Sequence, residues 1–284
     1  MQTGIFCFNI EMMWFTILYI ILALGADGAI FYFTGLYNYP YFYWVPILAF
    51  PILYVLVFGL SLLILLICAL PINVNKEVEK PSKFARFLVT QIVRQINFFS
   101  FSIVKRSGFY KIPHDEPYVI IYNHVSNFDP MFIMDYLHKD KIICVTKPSN
   151  KKIPIAGPYI HKAGYISINR EDPKEGAKAI LKAVEYIQKG YGSIAIAPEG
   201  TRMKDGHLGA FHPGSLQVAY HTHAPIVVCG FKGTGKLSKN AFKKPSKINM
   251  DILEVYRYEN YQDITPGVLT NQIVELYKEY LKEE

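Results

Sequence analysis

No lysine or arginine occurs before Lys76 in this 284-residue chain, and the only acids in that stretch are Glu11 and Asp27. A secretory leader starts with positive charge, so the absence argues against cleavage and for retention of the segment. Cysteine is scarce as well. Cys7, Cys68, Cys144 and Cys229 are scattered, and two of them lie in apolar sequence, a pattern that implies neither a disulfide framework nor a metal site. There is no zinc-finger spacing, no RNA-recognition signature and no basic run longer than Lys151-Lys152 or Lys243-Lys244, so nucleic acid is not an expected partner. Neither Ser193 nor Ser215 stands in G-x-S-x-G, which excludes a hydrolase nucleophile elbow. Internal repeats and low-complexity tracts are also absent.

Two long apolar stretches, about 12–33 and 45–70, fill this segment without basic residues. The second, about 25 residues at about 1.5 Å rise, is long enough to cross a hydrocarbon core of about 30 Å. Asp27 in the first is costly in lipid unless it faces protein, water or head groups, so a re-entrant or interfacial hairpin stays open beside two full spans. The uncharged link Tyr37 to Trp44, rich in tyrosine, suits a turn at a membrane interface. Lys76, Lys80, Lys83 and Arg86 then place the rest of the chain on the cytoplasmic side by the positive-inside rule. The expected organisation is a membrane anchor over 1–75, a basic amphipathic membrane-surface segment over 76–110, and a catalytic domain over 111–284.

Residues 76–284 hold all 30 basic residues and 21 of the 23 acids, a net charge of +9 that suits anionic head groups or phosphorylated substrates. Over 82–105, Phe84, Phe87, Leu88, Ile92 and Ile96 share one helical face, while Lys83, Arg86, Gln91 and Arg94 lie elsewhere. The pattern fits a helix lying on the bilayer and equally one packed on the domain with a solvated outer face. From residue 117 short apolar runs alternate with amphipathic helices. Strands are predicted near 118–122, 141–146, 164–168, 193–197, 225–230 and 248–257, and helices over 173–189 and from Pro266 onward. The predicted fold class is α/β, a mostly parallel or mixed sheet flanked by helices, with an N-terminal hydrophobic two-helix membrane anchor.

Ligands of such sheets gather where strands end, and two predicted strand ends are polar. The first runs into Asn123-His-Val-Ser-Asn-Phe-Asp129. If a helical turn starts near Asn127, Asp129 can fix the tautomer of His124 and leave its other nitrogen to take a proton from a hydroxyl. A His and an Asp at this spacing are common by chance, so the pair needs company. The second end, Ser193 to Arg202, carries Pro-Glu-Gly-Thr-Arg: Arg202 offers a planar fork of donors to a phosphate, and Gly200 allows close approach. Ser126 reads as a helix-start contact rather than a nucleophile. His221 and His223 have too few neighbouring ligands to imply a metal.

With Gly157 to Arg170 between them and Ala224-Pro-Ile-Val-Val228 after them, these blocks stand in the order and spacing of the glycerolipid and lysophospholipid acyltransferase family, which residues 115–230 resemble. The resemblance implies transfer of a fatty acyl group from a thioester, acyl-CoA or acyl carrier protein as co-substrate, to the free hydroxyl of 1-acylglycerol 3-phosphate. The product would be phosphatidic acid, with no further cofactor. His124 would be the base and Asp129 its orienter. Asn123, Lys147, Arg170, Glu199, Gly200, Thr201 and Arg202 would bind substrate, backbone donors near Gly200 would meet the oxyanion, and membrane lipids would be the partners. Other lysophospholipids, a lyso-aminolipid or glycerol 3-phosphate remain possible acceptors. Esterase or phosphatase chemistry and a non-catalytic lipid-binding module are the readings from other classes. Two departures touch phosphate neutralisation: Pro148-Ser149 follows Lys147 where the family often has Glu-Leu, and the family's Phe-Lys-x-Gly is here Phe211-His212-Pro213-Gly214.

Overall fold

A computed structural model describes residues 14–169, 172–200 and 208–282. Helices α1 (Trp14–Phe33) and α2 (Val45–Ala69) pack against each other as a hairpin, and both are long and apolar enough to cross a membrane. Tyr19 and Ser61 join them through a 2.7 Å hydroxyl–hydroxyl bond. Asp27 is buried rather than turned outward.

Helix α3 (Lys83–Phe99) starts at Ser82, whose hydroxyl accepts the Ala85 amide, and leads into strand β1 (Ser102–Ser107). Strand β2 (Val119–Tyr122) precedes α4 (Phe128–Tyr136), β3 (Ile143–Thr146) precedes α5 (Ala156–Lys162), and β4 (Ile166–Ser167) precedes α6 (Pro173–Gln188). Strand β5 (Ile194–Ile196), α7 (Gln217–Thr222), β6 (Ile226–Lys232), α8 (Thr234–Asn240), β7 (Ser246–Tyr256), α9 (Tyr258–Tyr261) and α10 (Pro266–Lys282) complete the chain.

The seven strands form one mixed sheet in the order β1-β7-β6-β2-β5-β3-β4. Every neighbouring pair is parallel except β6 and β7. Strands β2 to β6 therefore all finish at one end of the sheet, and β7 and β1 begin there. The strand residues Val119, Ile120, Ile121, Ile194, Ala195, Ile226, Val227 and Val228 are wholly buried, as expected for strands covered on both faces.

Two expectations need correction. Strand β1 pairs with β7 over its full length, so a domain boundary at residue 111 would cut the sheet. The polar side of α3 is not solvated: Gln91, Arg94 and Asn97 are buried against the domain. Arg94 Nε donates to Asp135 Oδ1 at 2.9 Å, Asn97 Nδ2 donates to Asp135 Oδ2 at 3.0 Å, and Arg86 reaches the Tyr191 carbonyl at 3.0 Å. Phe84 and Phe87 stay exposed, and Phe87 meets the hairpin edge-on through Phe15. A helix wedged between a polar neighbour and an apolar one turns each side to its like.

Candidate active site

The end of β2 supplies the candidate base. His124 is held after the strand while the chain turns into α4, whose second residue is Asp129. Asp129 is fully buried, and its Oδ2 accepts three bonds: from the Val125 amide at 2.8 Å, the Ser126 amide at 2.7 Å, and His124 Nδ1 at 3.1 Å. The carboxylate thus ties the turn together and fixes the imidazole with Nδ1 as the protonated nitrogen. His124 is 17% exposed, and its Nε2 makes no hydrogen bond among the described residues. A tethered imidazole with one free nitrogen at a strand end is the geometry of a general base.

Ser126 is spent on structure. Its hydroxyl accepts the Phe128 amide and lies 2.6 Å from the Ser238 hydroxyl on α8. On the same helix Gly235 leaves room for Val125, since a Cβ there would stand 3.1 Å from Val125 Cγ1. Asn123 is likewise engaged. Its Nδ2 donates to the Phe231 carbonyl at 3.0 Å and its Oδ1 accepts the Phe231 amide at 2.7 Å, an amide standing in for one more rung between β2 and β6. The geometry gives Asn123 a holding role beside His124.

The second strand end meets the first through Glu199. Its Oε1 accepts the His124 amide at 3.4 Å, while its Oε2 is buried without a partner among the described residues. Burial, reinforced by the nearby Asp129 charge and opposed by the His124 amide, raises the Glu199 carboxyl from the usual 4.5 to about 7. Gly200 adopts φ 73°, and its amide donates to the Ala197 carbonyl at 3.2 Å. That amide is engaged within the turn. Lys147 is exposed at the end of β3, on the same end of the sheet as His124. Arg170, Thr201 and Arg202 lie outside the described residues. His223 stacks on Tyr258 with ring centres 4.0 Å apart, an aromatic use for one of the two paired histidines.

One contributor carries no motif. Tyr277 of α10 is wholly buried, and its hydroxyl lies 3.0 Å from the Ile121 carbonyl and 2.8 Å from the Cys229 carbonyl, where β2 and β6 converge behind the His124 loop. Burial holds its phenol neutral. Only its place on the apolar stripe of the last helix marks it in the sequence.

A sheet whose strand ends bring a tethered imidazole beside a buried glutamate defines a class, and similarity agrees with it. Residues 104–232 match the Acyltransferase family model.

Among individual proteins, a chloroplastic 1-acyl-sn-glycerol-3-phosphate acyltransferase of Brassica napus is 31% identical over 156 residues, 55% of this chain and 44% of that protein. A 1-acyl-sn-glycerol-3-phosphate acyltransferase of Borreliella burgdorferi is 28% identical over 180 residues, 59% of this chain and 69% of the relative. The chain thus spans less than half of the plant relative and more than two thirds of the bacterial one. The crystal structure of the 1-acyl-sn-glycerophosphate acyltransferase PlsC from Thermotoga maritima superposes with a TM-score of 0.57 at 24% identity, covering 70% of this chain and 85% of that one, and shares the fold.

Proposed function

We propose that this protein is an O-acyltransferase that moves a fatty acyl group from a thioester to the free hydroxyl of 1-acylglycerol 3-phosphate, giving phosphatidic acid. The observation that carries the reading is the His124–Asp129 pair at 3.1 Å with Nε2 free. His124 Nε2 takes the proton of the acceptor hydroxyl as its oxygen attacks the thioester carbonyl. Asp129 stabilises the imidazolium so formed, and the proton then leaves on the departing thiol. No acyl-enzyme is required. The names of the relatives in Brassica napus and Borreliella burgdorferi support the acceptor. Acyl-CoA or acyl carrier protein is the donor in this reading, and Lys147, Arg170, Thr201 and Arg202 meet phosphate.

The α1–α2 hairpin serves as the membrane anchor, because acceptor and product are both lipids. The basic residues that follow α2, Lys76, Lys80 and Lys83, put the catalytic domain on the cytoplasmic side. The test is product analysis with a panel of lysolipid acceptors, with thioester loss measured with and without acceptor. His124→Ala lowers acyl transfer at least about 100-fold. Equal transfer by both proteins, or thioester loss indifferent to the acceptor, would sink the reading. Arg202→Ala lowers activity on phosphorylated acceptors and spares a neutral one; equal losses on both would point to a structural role.

A further inference from the structure

We infer that the cavity between the hairpin and α3 holds the acyl chain already present on the lysolipid acceptor; the inference rests on the acyltransferase reading above. The cavity measures about 340 Å³, within the range of roughly 300–1,000 Å³ usual for small-ligand sites, and its walls are almost wholly apolar. Phe15 and Leu62 face it from the hairpin, Ile96 from α3, Ile155 from the segment after β3, and Phe242 from the segment after α8.

Topology places it beside the chemistry. The β3 and β6 segments leave the sheet at the end where His124 sits, and β1 and β7, which follow α3 and Phe242, begin at that same end. Helix α8, just before Phe242, is bonded to the His124 turn through Ser238 and Ser126. The cavity therefore lies toward the end of the sheet that carries His124, with its flank against the hairpin.

Two features of the wall fit an occupant of this kind. Gln95 lines the cavity, and its buried Nε2 has no partner among the described residues, a donor suited to the ester carbonyl that joins such a chain to glycerol. Ile155 stands at φ 61°, ψ −62°, a sparsely populated backbone state for a branched residue and one found where a site dictates shape. The occupant comes from the membrane side, because one wall of the cavity is the hairpin. That favours the acceptor's chain over that of a donor arriving through water.

The experiment uses the full chain in lipid nanodiscs. A lysophosphatidate with a diazirine midway along its acyl chain, once irradiated, labels residues near Phe15, Ile96 and Ile155. Label confined to the outward faces of α1 and α2 overturns the inference. In parallel, Ala156→Phe, which narrows the cavity from the start of α5, lowers kcat/KM for an oleoyl acceptor about tenfold, the effect of excluding about two methylenes. A hexanoyl acceptor keeps its rate and reports that the variant is folded. A loss that follows the donor's chain length instead, or no dependence on the acceptor's chain, overturns the assignment. Labelling needs no turnover, so cavity label without acyl transfer to any acceptor would refute the catalytic reading alone.

Discussion

Replacing Asp129 in two ways separates its charge from its hydrogen bonds. Its Oδ2 accepts two peptide amides and His124 Nδ1, while its Oδ1 is buried with no partner among the described residues. In Asp129→Asn the amide oxygen takes the Oδ2 place, because the reverse orientation would set an NH2 against two amide donors. All three bonds to the oxygen survive, while the negative charge that stabilises the imidazolium is lost and the NH2 takes the partnerless Oδ1 place. The expected outcome is a kcat lower by roughly 10²–10⁴ with a smaller loss of stability than the alanine variant shows. Asp129→Ala loses the same catalysis and also orphans two buried amides, at about 1–3 kcal/mol each. Its apparent thermal midpoint in detergent falls by roughly 5–20 °C. The assays are steady-state acyl transfer and a thermal unfolding scan of each variant. Equal destabilisation by Asn and Ala would refute the hydrogen-bond accounting, and an Asn variant within about threefold of the parent would refute the role of the charge.

Three further outcomes follow from the same geometry. The folded-state carboxyl of Glu199 titrates near 7 against the usual 4.5, so between those values the native state binds more protons than the unfolded one and stability declines as pH rises through that window, by up to about 3 kcal/mol. Glu199→Gln flattens that decline in unfolding scans from pH 4 to 8; an unchanged slope would show that the carboxyl is not the group responsible. Asn123→Ala removes both bonds to the Phe231 peptide and lowers stability by about 1–3 kcal/mol, with kcat falling more than KM rises; a purely KM effect would return Asn123 to substrate contact. Tyr277→Phe deletes the hydroxyl shared by the ends of β2 and β6 and lowers kcat several-fold while leaving both KM values in place; full activity would limit α10 to packing.

The contact of His124 with Asp129 was legible because it is local: four residues lie between them, and a helix start is a short-range event that sequence spells out. Six of the seven strands and the helix over Pro173–Gln188 were legible for a similar reason, since burial on both faces writes continuous apolar runs. Strand β1 was not. The run Phe98-Phe99-Ser100-Phe101 extends the helical pattern, and the break comes from Phe101 at φ 57°, a conformation that no phenylalanine advertises. The buried polar side of α3 was hidden too, because its partner Asp135 is 41 residues away from Arg94 and a solvated face has the same composition. Asn123 was named for its place in a motif, while its bonds to Phe231 bridge 108 residues and leave no mark on spacing.

The hydroxyl of Tyr277 reaches a carbonyl 156 residues earlier in the chain, at the very strand that leads into His124. In synthesis from the N-terminus the hairpin precedes the whole sheet. The backing of the His124 turn arrives only when α10 leaves the ribosome. The last helix therefore completes the surroundings of His124 after every strand of the sheet has been made.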